Sequence, residues 1–262
     1  MRLSFAALAA LATITALPVA VHAEDAPAGP STAFNIGVVT DYRYRGITQT
    51  RLKPALQGGV DYSHPSGLYL GAWASTIKWI KDAGAISGAD TGSSQVEVDL
   101  YGGYKGEIVK DLGYDVGGLY YWYPSNKYKN IGGTSNADTF ELYGALTYKV
   151  FTVKYSHSLT NLFGAGGGGA PNSKGSGYLD LSAALDFGDG ITITPHLGRQ
   201  EIHHYSMASY TDYSVTAAKD FGNGLSVSLA LVGTDADKDL YYTPSGKFTG
   251  KSAVVVGAKF AF

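Results

Sequence analysis

The 262-residue chain has no cysteine and few charged residues. The absence of cysteine excludes a disulfide framework and any chemistry that needs a thiol. Charged residues make up 16% of the sequence, well below the share of about a quarter that is usual in soluble domains. The formal net charge is −2 and the sequence offers no basic stripe, so nucleic acid is excluded as a partner.

Long apolar segments are also missing beyond the N-terminal region. No later segment approaches the roughly 18 consecutive apolar residues that a transmembrane helix requires, so the rest of the chain is either soluble or built from strands. The first residues differ, because Arg2 precedes an apolar run at 3–17 and small residues at 21–23. This pattern predicts a signal peptide over 1–23 and a short periplasmic segment at 24–33. An N-terminal anchor helix is the alternative interpretation.

What the sequence has instead is an alternation with a period of two, which is typical of strands. In the first run, one face carries Phe34, Ile36, Val38, Thr40, Tyr42 and Tyr44, and the other carries Asn35, Gly37, Val39, Asp41, Arg43 and Arg45. Similar runs predict about twelve strands, starting near Phe34, Ala55, Leu68, Gln95, Tyr114, Thr139, Val150, Tyr178, Ile191, Thr211, Leu225 and Ser252. In the run from Leu68 the facing stays open, because Leu70 and Trp73 lie on opposite sides.

The connections between these runs are sorted by length, since short turns alternate with long polar segments. The long segments are 45–54, 78–94, 123–138, 160–177, 200–210 and 234–251. A soluble sandwich mixes its connection lengths, whereas an outer-membrane barrel has short periplasmic turns and long outer loops. The sequence therefore predicts an all-β fold over 34–262, an antiparallel transmembrane β-barrel of about 12 strands in the bacterial outer membrane. An even strand number places both termini on the periplasmic side, and twelve strands suit a monomer.

Aromatic residues cluster near the predicted strand ends on the apolar face, as in the interfacial girdles of membrane barrels. The set comprises Tyr42, Tyr44, Tyr62, Tyr104, Tyr120, Trp122, Tyr148, Tyr155 and Phe187. The last run ends in Phe262, and a terminal phenylalanine looks like the assembly signal of bacterial outer-membrane proteins. The partners predicted from this pattern are outer-membrane lipid and lipopolysaccharide.

Several motifs also resemble those of one protein family. They are "DYRYRGITQT", "PALQGGVDY", "GLYLGAWAS", "VDLYGGYKG", "YDVGGLYYWYP" and "YTDYSVTAAKDF". In this order and spacing, which covers about 34–262, the sequence resembles the TorF family of porins. The resemblance implies an outer-membrane barrel of porin type, and it supplies no catalytic or ligand-binding residues.

The charged residues fall on the face opposite the apolar one. An Arg or Lys that faces lipid at mid-depth costs about 2–4 kcal/mol, so we expect these side chains to point into the barrel. The candidates for the lumen wall or a constriction are Asp41, Arg43, Arg45, Glu97, Asp99, Glu141 and Lys154, and the same face carries Asp61, Asp115, Asp180 and Asp212. The pattern predicts a belt of opposite charges in the outer half of the barrel.

Two functions fit such a barrel. One is a porin through which small hydrophilic solutes diffuse passively, with no cofactor, no metal and no catalysis. Because acids outnumber bases on the inward face, such a channel would have a mild preference for cations. The alternative is a closed structural or surface-interaction barrel, whose interior is a solid core of ion pairs.

Two loop motifs have a simpler interpretation than ligand binding. The stretch 164–169 fits G-x-G-x-x-G, but a dinucleotide site needs a helix to follow it, and here a loop and a strand follow. The acidic stretch 235–239 has the spacing of a calcium loop. Leu240, however, occupies the position where that loop needs glycine. Both stretches are predicted to be solvated loops.

Histidine and serine offer little further chemistry. His196, His203 and His204 have no firmly placed carboxylate partner in the sequence, so surface or lumen histidine is the default interpretation. A lipid-acting enzyme would need serine and histidine together on the outer surface of the barrel. His157 and Ser158 are adjacent on a strand and therefore point to opposite faces, which makes this third function the least favoured.

Overall fold

The computed structural model describes residues 29–262, so the predicted signal peptide at 1–23 lies outside the described residues. Within that range the strands are β1 (Ser31–Val39), β2 (Arg43–Tyr44), β3 (Ile47–Thr48), β4 (Ala55–Ser63), β5 (Leu68–Thr76), β6 (Val96–Val109), β7 (Leu112–Trp122), β8 (Thr139–Tyr148), β9 (Phe151–Ser158), β10 (Gly177–Ala183), β11 (Leu185–Asp186), β12 (Ile191–Glu201), β13 (Tyr210–Asp220), β14 (Leu225–Thr234) and β15 (Ala253–Ala261). One α-helix, α1 (Trp79–Ser87), lies between β5 and β6.

The long strands form a closed antiparallel barrel of twelve strands, as the sequence predicts. Each barrel strand pairs with its neighbour in chain order, and β10 and β11 together count as one barrel strand, which pairs with β12. The ring closes where β1 pairs with β15, with Val38 opposite Ala258. Each of the twelve barrel strands begins within three residues of its predicted start; the largest difference is at β1, which begins at Ser31 rather than Phe34.

The two predicted faces are also observed. The apolar residues of the first run, Phe34, Ile36 and Val38, are exposed on the outside of the ring, where a membrane barrel contacts lipid. In β5 the open facing is resolved, because Leu68 and Leu70 lie outside whereas Tyr69 and Trp73 are buried inside. Of the predicted aromatic girdle, Tyr104, Tyr120, Trp122, Tyr148, Tyr155 and Phe187 are exposed.

The predicted alternation of short turns and long connections is observed, but the segment 78–94 is not a simple loop. It contains α1, whose Ile80 is fully buried. Gly88 ends the helix in the left-handed conformation, with φ of 75°, as is common after a helix C-terminus. Nine residues with an internal glycine give too weak a period to be recognised against flanking strands. Within 29–262 no helix is long and apolar enough to cross a membrane.

The long connections on one rim contact each other. In the β5–β6 connection, Asp90 accepts a hydrogen bond from the Gly92 N–H. It also forms an ion pair with Lys127, whose Nζ lies 3.1 Å from Asp90 Oδ2. The Gly92 N–H and the Lys127 ammonium lower the pKa of Asp90, so the pair stays charged near neutral pH. Lys127 lies in the next long connection, so the two connections are linked at the mouth of the barrel.

One prediction for the first run is wrong. Tyr42 and Tyr44 are not on the lipid face: β1 ends at Val39, and the chain then turns into the barrel. All residues of 41–50 are buried, and β2 and β3 form a hairpin inside the ring. We call residues 41–50 the inserted hairpin. A buried tyrosine can satisfy its hydroxyl with polar lumen groups, which the lipid face cannot offer.

Candidate functional site

The inserted hairpin has a two-residue turn at its tip. Tyr44 pairs with Ile47, and the two residues between them, Arg45 and Gly46, have φ of 45° and 78°. Two positive φ values are the pattern of the type I′ turn that strand twist favours in tight hairpins. Gly46 is also required by space, since a Cβ there would lie 2.8 Å from Cβ of Asp212 on the barrel wall. The tip of the hairpin therefore touches the wall.

Arg43 fixes the base of the hairpin. Its Nε donates to Asp41 at 2.6 Å, and its Nη1 donates to the carbonyl oxygens of Gly46, Thr249 and Lys251 at 2.9, 3.1 and 2.9 Å. The last two belong to the connection between β14 and β15. Arg43 is 1% exposed, so these charge-assisted bonds form away from bulk water, where they are strong. Arg43 thus bonds both to other residues of the hairpin and to the long connection between β14 and β15.

Arg45 extends from the tip into a pocket of the wall. Its Nη2 donates to Glu141 Oε2 at 2.7 Å, and its Nη1 donates to Gln200 Oε1 at 2.6 Å. The guanidinium carbon lies 4.2 Å from the ring centroid of Tyr178 and 4.8 Å from that of Tyr44. A guanidinium held between a carboxylate and an aromatic face combines an ion pair with a cation–π contact.

The tyrosines of the hairpin bind the opposite wall. Tyr42 OH donates to Glu97, which also accepts a 2.7 Å bond from Tyr123 OH. The Tyr42 ring packs edge-on against Trp73, with centroids 5.4 Å apart. Tyr44 OH lies 2.7 Å from Tyr121 OH. The hairpin therefore crosses the interior from the β5–β6 wall to the β12–β13 wall.

All seven predicted lumen residues are inside the barrel, but they occupy four settings. Asp41, Arg43 and Arg45 lie on the inserted hairpin and not on the first wall strand, because that strand ends earlier than the sequence predicts. Glu97 and Glu141 on the wall bind the hairpin. Lys154 is separate from the hairpin: its Nζ lies 4.0 Å from the ring centroid of Tyr143.

The seventh residue, Asp99, has an unusual environment. It is 0% exposed, and neither carboxylate oxygen has a hydrogen-bond partner among residues 29–262. A buried carboxylate without a partner is costly when it is ionised. Glu97, two residues before it on the same inward face, is by contrast bonded by two tyrosines.

This difference gives a testable contrast between two conservative substitutions. Asp99→Asn replaces a buried carboxyl group that has no hydrogen-bond partner by a neutral amide of the same size, so the free energy of unfolding is expected to stay equal or to rise. Glu97→Gln removes the charge from two hydrogen bonds, so the free energy of unfolding is expected to fall by about 1.5–3 kcal/mol. Urea unfolding in lipid vesicles measures both. A larger loss for Asp99→Asn than for Glu97→Gln would show that Asp99 has an ionic partner.

Several residues that hold the hairpin are not among the site residues predicted from the sequence, namely Trp73, Tyr121, Tyr123, Tyr178 and Gln200. The alternation contains the signal for one of them, because Tyr178 lies two residues before Asp180 and shares its inward face. A second inward cluster joins His196 to Asp180 at 3.1 Å and to Asp212 at 3.6 Å. The carboxylate partners of His196 come from neighbouring strands, which sequence spacing does not reveal.

The half of the interior beside the short turns is filled less uniformly. Burial of the inward-facing polar residues at that end is mixed: Asn35, Asp61, Lys105 and Lys259 are half-buried, whereas Asp115, Thr192 and Ser226 are buried. Here two residues of the wall bond to each other: Tyr101 OH on β6 donates to Asp61 on β4, at 2.5 Å. The hairpin therefore lies between this half of the interior and the mouth on the side of the long connections.

Two solved structures share this fold. One is KdgM porin in complex with disordered oligogalacturonate, at 8% identity over 88% of this chain and 99% of that chain, with a TM-score of 0.53. The other is NanC porin in a rhombohedral crystal form, at 10% identity over 88% of this chain and 99% of that chain, with a TM-score of 0.51. Both are porins, so the likeness shows a porin-type barrel. No curated protein sequence matches the chain. Residues 24–262 match Gcw_chp, described as a bacterial protein of unknown function, and the chain belongs to this family.

Proposed function

We propose that the protein is a porin of the bacterial outer membrane that allows small hydrophilic solutes to diffuse passively. The observation that carries this proposal is the inserted hairpin. This segment lies outside the ring of strands, fills the interior at its own level and is held to the wall by polar bonds. Such a segment can move without breaking any strand pairing.

The half-buried polar residues on the periplasmic side support the same function. A solid ion-paired core would bury the interior along its whole length. Here several polar groups on the wall away from the hairpin, such as Asn35 and Lys259, remain partly exposed. The resemblance to the TorF family of porins and the shared fold with KdgM and NanC agree with a channel.

The charges of the wall favour cations. Seven inward acids lie on wall strands, namely Asp61, Glu97, Asp99, Asp115, Glu141, Asp180 and Asp212, and they outnumber the inward bases. Rings of acidic side chains select cations in channels. An acid-lined wall would repel a polyanion such as the oligogalacturonate named for KdgM, so we propose a different solute class for this barrel.

The proposed location follows from the N-terminal pattern and the outer surface. A signal peptide over 1–23 would export the chain, and the apolar outer face with its aromatic residues would bind outer-membrane lipid and lipopolysaccharide. The twelve barrel strands of one chain form a complete ring, so we propose a monomer. Neither a cofactor nor a catalytic step is needed for passive diffusion.

Planar bilayer recording tests the channel. We expect discrete conductance steps from the native protein, with cations favoured over anions. Arg43→Ala should increase the open fraction, because it removes the bonds from the hairpin to the β14–β15 connection. Heat-modifiable gel migration confirms that each sample is folded. Folded protein that stays silent, with and without Arg43→Ala, would leave the closed structural barrel as the better interpretation.

A further inference from the structure

The wall pocket that receives Arg45 is built independently of the hairpin. Its wall residues are Glu141 on β8, Tyr178 on β10 and Gln200 on β12, each 2% exposed or less. We call these three residues the guanidinium site. Each comes from a different strand, so the site is a property of the closed ring.

The side chains of the guanidinium site are held by bonds that do not involve Arg45. Gln200 Nε2 donates to the Gly177 carbonyl at 3.0 Å, which turns Oε1 of the amide towards the pocket. Tyr178 OH donates to Asp212 at 2.9 Å, which fixes the ring face. Tyr121 OH donates to Glu141 Oε2 at 3.3 Å. The acceptors and the ring are therefore already oriented when a ligand arrives.

The shape of the site suits a guanidinium better than an ammonium. Two acceptor oxygens, from Glu141 and Gln200, receive two different nitrogens of the same plane, and the ring of Tyr178 contacts the guanidinium at 4.2 Å. A planar fork that also packs on an aromatic ring is characteristic of guanidinium binding. A compact ammonium has no planar fork and therefore fits this arrangement less well.

Arg45 leaves part of the site unused. Oε1 of Glu141 and Nε of Arg45 are both buried, and neither has a hydrogen-bond partner among the described residues. The backbone of Arg45 is held in the turn, so its side chain approaches Glu141 through one nitrogen only. An untethered guanidinium could rotate and donate to both oxygens of Glu141, which is the stronger arrangement.

We propose that the guanidinium site binds solutes that carry a guanidinium group, which compete with Arg45 and displace the inserted hairpin. In this view Arg45 is a tethered substitute for the solute, and the cation preference of the channel narrows to guanidinium compounds. The second part rests on the proposed porin function, whereas the binding site itself does not.

The test empties the site without losing the turn. Arg45→Asn places Asn before Gly46, the pair most favoured in type I′ turns, and the shorter side chain cannot reach Glu141. The protein is refolded with ethylguanidinium or with ethylammonium present, so that access does not limit binding. The temperature at which heat-modifiable migration is lost then reports ligand binding, because a ligand that binds only the folded state raises it.

We expect ethylguanidinium to raise this temperature by a few degrees in Arg45→Asn, and ethylammonium to have little effect. Adding Glu141→Gln should abolish the shift, whereas adding Asp99→Asn, which lies outside the site, should preserve it. An absent shift, an equal shift with ethylammonium, or a shift that survives Glu141→Gln would each overturn the proposal. If Arg45→Asn does not fold alone, refolding yield is measured instead, and rescue by ethylguanidinium only is the expected result.

A separate arm distinguishes this proposal from the proposed porin function. In planar bilayers, ethylguanidinium should raise the open fraction of the native channel more than ethylammonium does. If the temperature shift is present but bilayers stay silent, the guanidinium site stands and the porin function fails. If the channel conducts but the shift is absent, the porin function stands and the guanidinium site fails.

Discussion

A barrel whose residues 40–54 are replaced by a short turn is expected to pass several times more current per channel than the native protein. The replaced segment contains the inserted hairpin, which fills the interior between opposite walls. Val39 and Ala55 pair across β1 and β4, so a turn of about four residues, a common hairpin length, can join them without disturbing the ring. Removing the hairpin leaves an interior lined by wall side chains alone.

Single-channel recording measures this effect, and gel migration confirms that the variant is folded. The matched control shortens 202–209, the connection between β12 and β13, which contributes no residue to the inserted hairpin. That variant should keep the native conductance. Equal conductance for the native protein and the hairpin-free variant would show that the hairpin does not set the constriction.

Replacing Glu141 by Ala is expected to lower the free energy of unfolding by about 3–5 kcal/mol, the usual cost of leaving one partner of a buried ion pair alone. Arg45 is deeply buried, and Glu141 is the only carboxylate within ion-pair distance of it among residues 29–262. The amide of Gln200 can orient the guanidinium but cannot balance its charge. The variant must therefore expose Arg45, which requires the tip of the hairpin to leave its pocket.

Urea unfolding in lipid vesicles measures this loss. Glu201→Ala is the control, because Glu201 is exposed at the end of β12, and exposed substitutions usually change stability by no more than about 0.5 kcal/mol. Adding Arg45→Asn to Glu141→Ala should restore part of the loss, since no unpaired charge remains. A loss for Glu141→Ala as small as that of the control would mean that Arg45 is already solvated in the native protein.

The barrel itself could be predicted from the sequence because the membrane imposes a simple rule on every strand. Outward positions must be apolar and inward positions can be polar, so residues such as Phe34, Leu142 and Val254 mark the lipid face with a period of two. The rule acts locally, strand by strand. For this reason the strand starts agree with the prediction to within three residues.

The inserted hairpin could not be predicted in the same way, because the alternation continues past the end of β1. Thr40, Tyr42 and Tyr44 extend the apolar face in sequence, and only hydrogen bonding shows that barrel pairing ends at Val39. One local signal was available. Arg45-Gly46 stands between two β-prone residues, Tyr44 and Ile47, as expected for a tight hairpin within the supposed strand.

The partners of the hairpin are a different kind of information. Arg45 contacts Glu141 and Gln200, which lie 96 and 155 residues further along the chain. Their proximity depends on the closure and radius of the ring rather than on local pattern. The sequence therefore predicts that charges meet inside the barrel, and the structure is needed to say which ones.

The origin of the guanidinium site in three late strands has a consequence for the order of folding. The hairpin follows β1 directly, yet β8, β10 and β12 must join the ring before its pocket exists. Docking of the hairpin is therefore the last step, and an empty ring precedes it. The Trp73 ring, which packs on Tyr42, should report that step after gel migration shows a closed barrel. Simultaneous changes in the two signals would contradict this order.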